Sequence, residues 1–197
     1  MSFYTGLIHT SDITFDYTEG NSIEVIDKHS EPWKVTVVDT GLNTMTGGRI
    51  KRIAKYIGED DFMLTYGDGL CDVNLKELAK FHKRSGKIAT ITAVLPGGRF
   101  GRLDISPDNR ILNFAEKKIE DGGWINGGFM VLNRRIFDYI DGDKTVFEQK
   151  TMETLCKENE LQAYKHYGFW KCMDTLRDKN SLEELLDSGE APWLIWK

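Results

Sequence analysis

Apolar and polar positions alternate in Ile13-Thr14-Phe15-Asp16-Tyr17 and again in Lys34-Val35-Thr36-Val37-Val38, which predicts two strands, the second ending at Asp39-Thr40-Gly41. The period then changes. Ile50, Ile53, Ala54 and Ile57 stand at helical spacing, so a helix is expected there with Lys51, Arg52 and Lys55 on its polar face. A short apolar run, Phe62-Met63-Leu64-Thr65-Tyr66, stops abruptly at Gly67-Asp68-Gly69 and reads as a buried strand delivering one carboxylate. Leu75, Leu78, Ala79 and His82 repeat the helical spacing, and Gly86 is placed to end that helix. Residues 87–95 form another β-prone run. Strand, helix and strand in this order predict a βαβ unit with parallel pairing and a right-handed crossover.

From Pro96 onward the pattern shortens. Leu103-Asp104-Ile105 and Ile111-Leu112-Asn113-Phe114 flank Ser106-Pro107-Asp108-Asn109, a hairpin signature, and Gly127-Gly128 precedes the apolar run Phe129-Met130-Val131-Leu132. Helices are expected around residues 148–158 and 176–187, with strand-like segments near 161–166 and 169–173. No internal repeat, low-complexity tract or linker interrupts residues 1–197, so the expectation is one domain, an α/β sheet with an inserted or appended hairpin region.

Composition narrows the classes of partner. The 31 acidic and 26 basic residues leave a net charge of -5, and the basic residues are scattered rather than striped, which argues against a nucleic acid. A small phosphorylated ligand needs only a few local cations and remains compatible. Three widely spaced cysteines, Cys71, Cys156 and Cys172, form no C-x-x-C pair and suit a reducing compartment better than a disulfide scaffold or zinc site. No stretch approaches the ~18 apolar residues of a membrane span, and the N-terminus lacks a basic region followed by an apolar one, so a cytoplasmic protein with no membrane partner is expected.

In open α/β sheets ligands bind beyond the carboxyl ends of the strands, and flanking glycines allow close approach to the backbone, so Asp68 is the first candidate for chemistry. Gly-Asp-Gly is also good turn chemistry. Asp174, in Cys172-Met173-Asp174-Thr175, again ends an apolar segment before a helix. There an aspartate has a competing role as the N-cap. Two carboxylates converging at strand ends would suit Mg²⁺, which takes a few hard oxygen ligands and lets a substrate phosphate complete its shell. Thr44-Met45-Thr46-Gly47-Gly48-Arg49 opens a helix with exposed N–H groups and a forked cation, an anion site by its chemistry or merely a glycine-rich helix start. Glu116-Lys117 sets an acid for sugar hydroxyls beside a cation for phosphate, or forms a solvated strand end. Asn126-Gly127 offers an amide beside an approachable backbone, and Trp124 either stacks on a ring or covers the core.

Together these signals resemble one family in order and spacing, the sugar nucleotidyltransferases, and within it the glucose-1-phosphate cytidylyltransferases. The resemblance runs over nearly the whole chain. It is carried by Glu31-Pro32-Trp33, Val38-Asp39-Thr40-Gly41, Met45-Thr46-Gly47-Gly48-Arg49, Tyr66-Gly67-Asp68-Gly69, Gly98-Arg99-Phe100-Gly101, Ile125-Asn126-Gly127-Gly128-Phe129, Met173-Asp174-Thr175-Leu176-Arg177-Asp178-Lys179 and Ala191-Pro192-Trp193. It implies a Rossmann-like nucleotide-diphospho-sugar transferase fold, with a mixed, mainly parallel sheet and a hairpin-rich sugar-binding part. It also implies CTP and glucose 1-phosphate as substrates, CDP-glucose and pyrophosphate as products, and a homo-oligomer serving bacterial surface polysaccharide. By the same resemblance Asp68 and Asp174 hold Mg²⁺, and Thr44, Arg49 and Gly67 sit in the nucleotide or substrate site. Lys117 contacts phosphate, with Glu116, Asn126 and Gly127 toward the sugar. Catalysis then falls to Asp68, Arg49 and Lys117.

Two departures stand out. Lys118 occupies the place of a proline that usually follows the Glu-Lys pair. The family's opening strand, its Gly-Gly-x-Gly-Thr-Arg loop and the Lys-Pro pair after it have no counterpart, and Met1 corresponds to a point beyond its first two βα units. The expected consequences are a sheet without one central strand and self-association through residues 60–70. The alternative function is a catalytically incomplete fragment that binds sugar phosphate or sugar nucleotide without turnover. A metal-dependent glycosyltransferase of the same broad fold is a further alternative, requiring a sugar acceptor and a nucleotide-sugar donor.

Overall fold

A computed structural model describes residues 13–18, 22–25, 34–95, 102–115 and 123–195. The chain divides into two compact units, Met1–Asp39 and Thr40–Lys197. In the first, β1 (Ile13–Asp16) pairs antiparallel with β2 (Ser22–Val25), Ile13 opposite Val25. The strand expected at residues 34–38 does not form: those residues have no regular structure, and Val35 and Val37 are exposed. Alternation makes a backbone compatible with β structure, but a strand also needs a partner ladder.

The second unit is built on a four-stranded sheet. Its strands are β3 (Phe62–Thr65), β5 (Ala89–Val94), β8 (Ile125–Leu132) and β9 (Leu161–Lys165), in the order β3-β8-β5-β9. β5 runs parallel to β9, whereas β8 is antiparallel to both β3 and β5. The sheet is therefore mixed as expected, but mostly antiparallel rather than mainly parallel. The reason is the placement of β8. Strands β3 and β5 point the same way, as the βαβ signature requires, yet β8 arrives later in the chain and inserts between them.

The crossover helix α2 (Leu75–Ser85) forms where the sequence places it. Asn74 caps its N-terminus by accepting from the backbone N–H groups of Lys76 and Glu77, and Gly86 ends it in the left-handed region at φ 63°. Buried His82 pins the helix to β5 through a 2.8 Å hydrogen bond between Nδ1 and Thr90 Oγ1. The main core gathers Ile91, Met130, Leu132, Ile136, Ile140, Phe147, Met152 and Leu155, supplied by the sheet and by the segment that follows β8. That segment includes a π-helical turn, Phe147–Thr151, running into α3 (Met152–Lys157), where the sequence predicts one helix.

The hairpin forms as expected, from β6 (Arg102–Ile105) and β7 (Ile111–Ala115). Helix α1 (Thr46–Arg52) begins earlier than the apolar spacing suggests, and the rest of that set falls in a 3-10 turn at Ala54–Tyr56. A two-stranded antiparallel ribbon, β4 (Gly69–Cys71) with β10 (Trp170–Cys172), leads into α4 (Leu176–Asp187).

Candidate functional site

The ribbon brings the two aspartates of the sequence to one end. Gly69 pairs with Cys172, and the Met173 N–H donates to the Asp68 carbonyl at 2.8 Å, so Asp68 enters β4 where Asp174 leaves β10. Both are exposed. Asp174 is not the N-cap of α4. Thr175 is the cap of α4, accepting from the Asp178 N–H, while the Asp178 carboxylate accepts from the Thr175 N–H in a reciprocal capping box. Asp174 instead accepts from the Cys172 thiol at 3.3 Å.

Gly127 meets the ribbon from β8. Its carbonyl accepts the Trp170 indole N–H at 2.7 Å, and a Cβ at Gly127 would lie 2.9 Å from Val94 Cγ1, so only glycine lets β8 lie this close. The adjacent Asn126 turns its Oδ1 onto the Gly128 N–H at 2.9 Å. Gly67, Asp68, Asn126, Gly127 and Asp174 thus belong to one neighbourhood built from β3, the ribbon and β8. Trp124 is half-buried, packs on the core and meets Tyr167 edge-on at 5.2 Å between ring centroids. Glu116 and Lys117, like Gly98 and Arg99, lie outside the described residues.

The start of α1 is not the open anion cradle that its glycines suggested. The Met45 and Gly47 N–H groups already donate to the Asp143 and Thr145 carbonyls at 2.8 and 2.9 Å. A Cβ on Gly47 or Gly48 would lie 2.8 Å from Thr145 O or 2.6 Å from Asp143 Cα, so these glycines serve close packing of the helix on the loop at residues 143–145. Thr44 is buried against Gly48. Arg49 is exposed, and its guanidinium donates to Thr40 Oγ1 at 2.7 Å and the Leu42 carbonyl at 3.3 Å.

Two side chains with no role expected from the sequence, Tyr66 and Glu148, link this segment to the Asp68 turn. Glu148, on the π-helical turn, accepts from the Tyr66 hydroxyl and from the Thr46 hydroxyl, each at 2.7 Å. Burial first, and then the charge of Glu148, push the Tyr66 phenol well above its ordinary value, against a smaller opposing effect of the Asn126 amide, so Tyr66 stays a donor. Tyr66 adjoins Gly67-Asp68 and opens the motif Tyr66-Gly67-Asp68-Gly69. Glu148 is far away in sequence and carried no local signal.

Among the described residues the group of three possible metal donors is Cys71, Asp72 and His166. His166 Nε2 and Asp72 Oδ1 already satisfy each other at 2.7 Å, and burial pushes the Cys71 thiol up to about 11. A Cβ at Gly168 would collide with Asp72 Oδ1, which makes the pair a packed tie at the end of β4. Among the described residues no helix is long and apolar enough to cross a membrane.

A mixed sheet whose strands alternate with helices along the chain puts this protein in the α/β class. Residues 16–178 match the family described as nucleotidyl transferase, and the chain belongs to that family. It is 50% identical over 196 residues to glucose-1-phosphate cytidylyltransferase of Salmonella typhi, covering 99% of this chain and 76% of the relative. It is 38% identical over 187 residues to a probable glucose-1-phosphate cytidylyltransferase of Bacillus subtilis, covering 94% and 72%. A crystal structure of HddC from Yersinia pseudotuberculosis superposes with a TM-score of 0.65 at 24% identity, over 74% of this chain and 64% of that one, a likeness in fold.

Proposed function

We propose that this chain transfers a cytidylyl group, converting CTP and α-D-glucose 1-phosphate to CDP-glucose and pyrophosphate. The observation that carries this reading is the 50% identity along 99% of the chain to a glucose-1-phosphate cytidylyltransferase. The geometry is compatible with it. The sugar phosphate oxygen that attacks the nucleotide is already charged at neutral pH, so no general base is needed and catalysis rests on positioning and charge neutralisation.

Asp68 and Asp174 fit a divalent cation. They are hard oxygen donors entering from adjacent strands of the ribbon, and the capping of α4 is done by Thr175, which leaves the Asp174 carboxylate free of that role. These two would hold Mg²⁺, whose chemistry is to neutralise charge on the reacting phosphates. Arg49 supplies a forked cation for phosphate, and Lys117 a second. By the family resemblance Asn126, Gly127 and Glu116 would serve the sugar, and Gly67 and Thr44 the nucleotide or substrate site. Within this reading the protein is a cytoplasmic homo-oligomer, and its product serves surface polysaccharide such as O antigen.

Pyrophosphate release with Mg²⁺, glucose 1-phosphate and each of CTP, UTP and dTTP tests the reading. Turnover selective for CTP and lost in Asp68→Ala is the expected result. Binding of CDP-glucose by folded protein without turnover would replace the proposal with the sugar-nucleotide-binding alternative. Full activity in Asp68→Ala would remove Asp68 from the mechanism.

A further inference from the structure

The segments bearing the candidate residues converge on one half-buried carboxylate. Glu148 Oε1 accepts from Tyr66, whose backbone runs directly into Gly67 and Asp68, and Oε2 accepts from Thr46 in the first turn of the helix that carries Arg49. The same Thr46 hydroxyl oxygen accepts the Phe147 N–H at 2.9 Å, tying that turn back to the residue beside Glu148. Tyr66 reaches the third segment as well: Gly128 has φ 79°, and a Cβ there would lie 2.8 Å from Tyr66 Cδ2. Fully buried Phe147 anchors the π-helical turn in the core, and such turns occur frequently at functional sites.

We infer that Glu148 is a positioning residue for nucleotidyl transfer, its two carboxylate oxygens setting the Asp68 turn against the Arg49 helix through Tyr66 and Thr46. The inference rests on the function proposed above. An O–H···O⁻ bond is shorter and roughly twice as strong as a neutral one, and two bonds to one rigid carboxylate fix the separation of their donors. Where chemistry proceeds by alignment alone, a displacement of about 1 Å costs on the order of 100-fold in rate. Glu148 acts through its two partners, so its removal should lower kcat more than it raises KM.

Steady-state kinetics of Glu148→Ala, Glu148→Gln, Tyr66→Phe and the double variant Tyr66→Phe/Glu148→Ala test this, with thermal melts alongside. The expected result is a kcat loss on the order of 10- to 100-fold in Glu148→Ala with each KM within about threefold of wild type. Glu148→Asp should recover part of the loss, and the double variant should be no slower than the slower single variant, because the bond that Tyr66→Phe removes is already lost in Glu148→Ala. A kcat for Glu148→Ala within about twofold of wild type, or single losses that multiply in the double variant, would overturn the inference. If Glu148→Ala does not fold, Glu148→Gln and Tyr66→Phe decide on the same criteria. If the wild type itself does not turn over, the proposed function fails, and the clamp is read by amide hydrogen exchange: simultaneous loss of protection at residues 44–49 and 67–68 in Glu148→Gln supports it, and unchanged protection in either segment overturns it.

Discussion

The four-stranded sheet and the β4/β10 ribbon solve different problems. Every residue of β5 is buried, and Ile91, Met130, Leu132 and Leu155 around it have almost no exposed surface. All residues of the ribbon are half-buried, and the aspartates at its end are exposed. The ribbon leans on a small satellite core of Leu182, Ala191 and Trp193 with Leu70 and Phe169, and is tied to the sheet by the Trp170 indole on the Gly127 carbonyl. Apolar burial is non-directional and supplies most of the folding free energy, whereas a site must leave carboxylates accessible and aim them with a few directional bonds. Substitutions in the two regions should therefore separate stability from turnover.

The sharpest separation is expected at Asp174. Asp174→Asn keeps the shape and removes the charge, so kcat should fall on the order of 100-fold or more while the melting temperature stays within about 2 °C of wild type. Wild-type turnover would take Asp174 out of the ribbon's function. Leu155→Ala should do the reverse. It empties a fully buried position in α3, so urea denaturation should show a loss of about 2–5 kcal/mol with turnover per folded molecule unchanged. A loss below about 1 kcal/mol would mean that this part of the core collapses around the gap.

Smaller effects refine the contrast. Thr175→Ala removes the cap of the helix that follows the ribbon and should cost about 1 kcal/mol in chemical denaturation, more than an ordinary exposed substitution. On α2, where it packs against the sheet, burial holds the His82 imidazole below its ordinary value, although nearby Asp61 pulls the other way. The folded protein therefore takes up this proton at lower pH than the unfolded chain does. The stabilising contribution is complete above the unfolded value of about 6.5 and is lost as pH falls through the folded one. Urea midpoints at pH 7.5 and 5.5 should show a steeper acid loss in wild type than in His82→Gln, and equal slopes would assign the acid loss to other groups.

Much of the local structure was legible because its causes are local. The helical repeat from Leu75 to His82 and the glycine that ends it at residue 86 need only neighbouring residues. The hairpin around Ser106–Asn109 likewise follows from turn chemistry, with Asn109 in the left-handed region at φ 65°. The misses were tertiary. Nothing local says that β8 will enter between β3 and β5, that Gly47 and Gly48 face the loop at residues 143–145, or that residues 34–38 find no ladder. Asp174 and Thr175 show how fine the boundary is, since both are good caps and the register of the ribbon leaves the role to the threonine.

The sequence by itself determined most of the helical and extended segments, where the carboxylate of Asp68 follows its strand, and through likeness along the chain, the family. Those properties depend on residue type, spacing and short-range sterics. The tertiary structure decided the strand order, the arrival of the Asp68 and Asp174 segments at one end of the ribbon, and the convergence of Tyr66, Thr46 and Glu148. Each of these joins residues far apart in the chain, and only the packing of one shared core sets which distant groups come within hydrogen-bond reach.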